Sequence, residues 1–267
     1  VLLKVLCFKL LVVSFLPYCV ASESGTLIET SNPPKVLEYH VIEDLAVPFQ
    51  ITHEGESVGG IVSDIVDKIF EGAGYEVVKL VSSNLRLHKK IRNPEANRWI
   101  AYDAKAWNST LPYGEFIDAP LFEVSHSYLT CANNPAAIND AADLAGKTIS
   151  TLKSFQYPEL EALEKAQHLT LAPIRRYEQG FVLAQSQRSD GFVEMDLRLK
   201  YHLALNELDQ ECFKLLDMSS LIPPYNIYLS VDKQLDQYTK QFIKRRVIEL
   251  TNNNEIQAII TRYTGAI

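Results

Sequence analysis

Residues 59–81 read GGIVSDIVDKIFEGAGYEVVKLV, and the fold class turns on this stretch. Ile61, Ile65, Ile69 and Phe70, with Val62 and Val66 beside them, recur at helical spacing, and Gly72 and Gly74 supply a stop. Residues 75–81 follow as a strand. Upstream, residues 36–42 alternate as another strand, which runs into a loop at 44–50 marked by Pro48 and then a turn at Glu54-Gly55-Glu56. Strand, helix, strand is the unit of a parallel sheet.

The same rhythm continues downstream. A helical segment at 85–91 leads to a strand near 99–106, and residues 124–131 form a strand leaving this first block, broken by Asn133-Asn134-Pro135. A new unit opens at 143–146: strand 147–152, helix 157–165, strand 169–173, helix 178–186 and strand 191–195. Residues 225–231 lead back as a strand, and helical runs at 235–250 and 255–263 finish the pattern. Two βαβ blocks joined by two extended crossings predict an α/β fold of two lobes with a two-strand hinge. Lobe 1 is expected at 35–130 and 222–267, and lobe 2 at 131–221. Ligands of open α/β sheets sit beyond the strand carboxyl ends, so the cleft between lobes is the expected site.

Residues 1–21 combine Lys4 and Lys9, an apolar stretch at 10–16, Pro17 and the approach Cys19-Val20-Ala21. That is the layout of a cleaved secretory signal peptide, with the cut expected after Ala21. The uncharged run is too short for the roughly 20 apolar residues of a bilayer span, and the bulky Tyr18 before Cys19 fits lipidation poorly. Residues 22–34 are polar and read as a loose arm. Without residues 1–22, 24 basic side chains face 33 acidic ones, a net charge of −9. Such a balance argues against nucleic acid or an anionic membrane as partner. About 245 residues remain, enough for two lobes with their own cores. Cys131 and Cys212 either pair in an oxidising compartment or stay as buried thiols.

Enzyme readings find little support. The histidines at 40, 53, 88, 126, 168 and 202 include no pair at helical metal-site spacing, and no GxSxG, Walker loop or GxGxxG occurs. No catalytic residue, metal or cofactor is expected.

Several segments, in order and spacing, resemble one family. Residues 44–49 (DLAVPF) are similar to its first-strand loop, 59–70 to its Gly-then-acidic amphipathic helix, and 116–122 (FIDAPLF) to the stretch before its first hinge strand. Residues 144–149 (LAGKTI) match the opening of its second lobe, and 254–263 its closing helix. The chain thus resembles bacterial extracellular solute-binding protein family 3, the periplasmic binding proteins of polar amino acid uptake. The resemblance implies a two-lobed periplasmic-binding-protein-like fold of type II and a periplasmic monomer. It further implies closure on a small polar solute for an ABC-type uptake permease, or alternatively signalling to a membrane receptor. A stand-alone domain with a degenerate site is a third reading. One departure stands out. Where amino-acid binders of this family place a carboxylate-clamping Arg in lobe 1, residues 107–114 read WNSTLPYG. The second-lobe acid that meets the ligand ammonium falls near Met195, between Glu194 and Asp196.

The candidate ligand contacts follow. Asp44 and Phe49 lie in the loop after the first strand, where an acid and a ring suit a cationic or amino-bearing solute; a turn acid and a core Phe are the alternatives. Trp107, Asn108 and Ser109 follow a strand end and combine a flat apolar face with hydrogen-bonding groups, against the alternative of a core Trp. Arg86 either replaces the missing clamp or is a solvated helix residue beside Lys89, Lys90 and Arg92. Ser154, Phe155 and Tyr157 precede Pro158 at an expected helix start, whose free amides form an anion site to which rings are added. Glu194 and Asp196 complete the set.

Overall fold

The computed structural model describes residues 35–43, 45–93, 98–134, 137–153, 155–205 and 210–265. The expected signal peptide, Asp44 and Ser154 lie outside them. In chain order the first part holds β1 (Lys35–Ile42), the hairpin β2 (Ile51–His53) and β3 (Glu56–Gly59), α1 (Ile61–Phe70), β4 (Tyr75–Ser82) and α2 (Asn84–Ile91). It continues with β5 (Trp99–Ala104), β6 (Gly114–Phe116) and β7 (Phe122–Val124). The second part holds β8 (His126–Cys131), β9 (Thr148–Leu152), α3 (Pro158–Lys165), β10 (Thr170–Ile174), α4 (Tyr177–Gln185), β11 (Gly191–Met195), α5 (Asp196–Leu205) and β12 (Phe213–Asp217). The chain then returns through β13 (Tyr225–Asp232), α6 (Gln237–Asn252) and α7 (Glu255–Thr264).

These strands form two sheets. The first has the order β4-β1-β5-β13-β6, with β7 also paired to β13, and the second has the order β10-β9-β11-β8-β12. In the first sheet β1 runs parallel to β4 and β5, as the strand-helix-strand reading requires, while β13 is antiparallel to β5. The second sheet repeats the arrangement: β9 is parallel to β10 and β11, and β8 lies antiparallel to β11 and β12. Strand pairing passes between the sheets at Ser125 and returns within 218–224. Residues 126–131 therefore pair in the second sheet, where the sequence reading placed a strand leaving the first block; alternation along one strand does not say which sheet it joins.

The helix α1 forms because Ile61, Val62, Ile65, Val66, Ile69 and Phe70 make one continuous apolar stripe, and all six are buried against the first sheet. Its start is fixed by Gly60, which sits at φ +115° with the Phe49 carbonyl and the Gln50 Cα both 2.7 Å from where a Cβ would be. Only glycine fits there. The amides of Ile61 and Val62 donate to the Pro48 and Phe49 carbonyls, each at 2.8 Å, so the loop after β1 is tied onto the helix N-terminus. That tie aims Phe49 inward.

The first core packs α1, α6 and α7 on their sheet, and Met195 at the end of β11 joins it from the other sheet. Separate clusters fill the two faces of the second sheet. Cys131 carries a free thiol, although the Ala132 amide donates to the Cys212 carbonyl at 2.8 Å. No described helix is long and apolar enough to cross a membrane.

Candidate functional site

The carboxyl ends of strands from both sheets meet at one place. Phe49 follows β1, Tyr102 and Trp107 come from the end of β5, Phe155 and Tyr157 follow β9, and Glu194 closes β11. At their centre lies a residue the sequence reading did not select, Arg198 on α5, which is 1% exposed. Its Nη1 donates to Glu194 Oε1 at 3.4 Å, and Glu194 is also only 1% exposed. The Met195 amide donates to the same carboxylate oxygen at 2.8 Å, and the Tyr157 hydroxyl donates to Oε2 at 3.2 Å. The Tyr102 and Tyr177 side chains lie close enough to the guanidinium to feel its charge. Its Nε has no hydrogen-bond partner among the described residues.

Aromatic faces complete the surroundings. The guanidinium carbon stands 4.5 Å from the Phe155 ring centroid and 5.1 Å from that of Phe49, distances at which a cation is attracted to the ring quadrupole. Trp107 meets Tyr102 and Tyr225 edge-on, and its indole N–H donates to the Tyr225 hydroxyl at 3.1 Å. His126, at the start of β8, packs between Tyr225 and Tyr157. Tyr177 bridges the two lobes: its hydroxyl donates to the Leu45 carbonyl at 3.3 Å.

Burial governs the protonation states. It pushes the Glu194 carboxyl upward despite the Arg198 charge beside it, because desolvation outweighs a single ion pair. It works against the Arg198 charge as well, but the Tyr177 and Glu194 oxygens facing the guanidinium more than offset it. The Tyr157 hydroxyl is held protonated by burial and by the Glu194 charge next to it. Tyr225 is pushed up to about 12 by burial. His126 is lowered to about 4, first by burial and then by Arg198, so it is neutral at physiological pH.

The structure brings together Phe49, Trp107, Phe155, Tyr157 and Glu194. Phe49 is at the same time a core residue, packed on Tyr102 and Phe122 and fully buried. Asp196 stands next to the group but turns to Lys200 at 2.9 Å and to the Ser127 hydroxyl at 3.2 Å. Arg86, in the first turn of α2, is exposed, as are Asn108 and Ser109. The sequence alone does not single out Arg198, Tyr102, Tyr177, Tyr225 or His126. The available signal was an Arg between two leucines, Leu197 and Leu199, four residues after a candidate acid. Among the described residues no group of three or more His, Cys, Asp or Glu is placed to hold a metal.

No family model and no curated protein matches the sequence. Solved structures do match. The periplasmic VFT2 domain of Bordetella pertussis BvgS aligns with a TM-score of 0.62 at 19% identity, over 85% of this chain and 93% of that one. The substrate-binding protein of an amino acid ABC transporter aligns at 0.60 and 18% identity, over 86% of this chain and 100% of the other. The GluR0 ligand-binding core from Nostoc punctiforme, solved with L-glutamate, aligns at 0.60 and 16% identity, over 87% and 100%. Against the whole BvgS periplasmic domain the chain spans 43% of that protein's length. These likenesses show the fold: a two-lobed α/β architecture of the periplasmic-binding-protein kind, as the resemblance to solute-binding family 3 implies.

Proposed function

We propose that this chain is a binding domain that holds a small polar solute between its two lobes and acts through the balance of open and closed forms, with the crossings at Ser125 and 218–224 as the hinge. The observation that carries this reading is the buried Arg198–Glu194 pair set among aromatic rings where the strand ends of both sheets meet. Rings with a few directed polar groups are the usual lining of small-ligand sites. When the lobes part, the Arg198 Nε–H, which has no hydrogen-bond partner among the described residues, is the donor a solute carboxylate takes, and Glu194 is the acceptor for an ammonium. A small zwitterion such as a polar amino acid or a close relative matches both. The chain performs no chemistry on the solute. It acts in the periplasm as a monomer and delivers its solute to an ABC-type uptake permease.

A second reading makes it a sensing protein whose closed form is read by a membrane receptor. Its support is that contacts across the lobes, from Tyr177 to Leu45 and from Arg198 to Phe49, come from the chain itself. A permease and an ATPase encoded beside the gene favour uptake, and a receptor encoded there favours sensing.

The test of binding is a thermal-shift screen of amino acids, small peptides, polyamines and organic acids. A solute at 100 times its dissociation constant adds about 2.7 kcal/mol of stability. If no small solute stabilises the chain, the binding reading fails.

A further inference from the structure

We propose that Arg198 is a latch built into the chain: its guanidinium fills a box fitted to a planar cation and holds the two lobes closed on one another. The inference rests on reading the lobes as a closing pair, but it requires no solute.

The box draws its walls from both lobes. Phe49 lies on the first sheet's side and Phe155 on the second's, with centroids 5.1 and 4.5 Å from the guanidinium carbon. Tyr102 of the first sheet and Tyr177 of α4 in the second lobe stand near enough to act on its charge. Glu194 supplies the countercharge at 3.4 Å. A planar, delocalised and weakly hydrated cation is what such a set of faces and oxygens recognises. Because Arg198 belongs to α5 and the Phe49 and Tyr102 walls belong to the opposite lobe, the guanidinium leaves those two walls when the lobes part. Closure is therefore where its interactions are complete. Being tethered, it meets the box at an effective concentration that a dilute free solute does not match.

Two consequences follow. The closed form persists with no solute present, and a chain lacking the Arg198 side chain has a vacated site whose ligand class is guanidinium compounds. Small-angle scattering on the full chain, refolded from denaturant so that no solute is carried over, reads both. Wild type is expected to give the closed profile and Arg198→Ala a wider one. Millimolar methylguanidinium is expected to return Arg198→Ala to the wild-type profile, while urea, its neutral planar counterpart, leaves it open. Should Arg198→Ala not fold, Arg198→Met keeps the apolar volume of the stem without the cation and is expected to stay open in both additives. A solute-free wild type that is open, an Arg198 variant that remains closed, or equal effects of methylguanidinium and urea on Arg198→Ala would each overturn the latch. Since no candidate solute enters this experiment, its outcome is separate from that of the ligand screen.

Discussion

Burying Arg198 and Glu194 is tolerable because each faces the other's charge and Glu194 also accepts from the Met195 amide and the Tyr157 hydroxyl; removing one member strands the remaining charge. Glu194→Gln is expected to lower stability by about 3 kcal/mol, read as a drop in the urea midpoint at unchanged slope; an unchanged midpoint would show that the pair carries no such weight. Trp107→Ala is expected to weaken solute-induced stabilisation through loss of the support that its indole N–H gives Tyr225. A variant that responds to solute like wild type removes Trp107 from the site. The sequence reading singles out Phe49, Trp107, Phe155, Tyr157 and Glu194 because each lies at or after the carboxyl end of a strand, where ligand groups of open α/β sheets are expected. It passed over Arg198 because an arginine among leucines in an acidic protein has no property, read singly, that marks it as buried. Arg86, Asn108 and Ser109 are exposed: polarity near a strand end does not by itself decide where a side chain points.

Among elements, α1 and α5 make the contrast. The six apolar residues of α1 repeat at helical spacing and were legible at once. In α5 the segment Leu197-Arg198-Leu199-Lys200 alternates like a strand, while the buried face carries Arg198, Leu199, His202 and Leu203. A helix whose inward face includes an arginine and a histidine has no amphipathic stripe to find. Without the element, Arg198 has no place in the pattern. Of the hairpin of β2 and β3 the sequence marks only the turn, since strands of three and four residues are too short for alternation to speak. The junction at Gly60 offers an element-scale test. Gly60→Ala places a methyl group against the Phe49 carbonyl in a left-handed backbone region and is expected to cost roughly 2 to 3 kcal/mol. A substitution at Gly60 that leaves the melting temperature unchanged would mean the loop after β1 is free to move off the helix.

For the whole molecule, three buried histidines set the response to acid. His40, His126 and His202 are lowered from 6.5 to about 4 chiefly by burial, helped by Lys90 at His40 and by Arg198 at His126 and His202, with Glu178 opposing at His202. Because the unfolded chain takes up these protons first, their contribution is intact above about pH 6.5 and is lost as pH falls toward 4, at up to about 1.4 kcal/mol per pH unit for each histidine. Melting midpoints that do not fall between about pH 7 and about pH 5 would contradict this. The two-lobed plan itself was legible because the βαβ rhythm restarts after the first block. Which sheet residues 126–131 join was not, since pairing is a long-range choice that local pattern does not encode. One feature of that pairing also sets a timetable for synthesis. All five strands of the second sheet lie within one uninterrupted stretch, from His126 to Asp217, whereas the interior of the first sheet has a place that only β13 fills, between β5 and β6. As the nascent chain emerges, the second lobe has every strand it needs while the first still waits for Tyr225–Asp232. Hydrogen exchange on nascent chains stalled before Tyr225 emerges is expected to show β9 and β11 protected while β1 and β5 are not; equal protection in both sheets would show that the first does not depend on its latest strand.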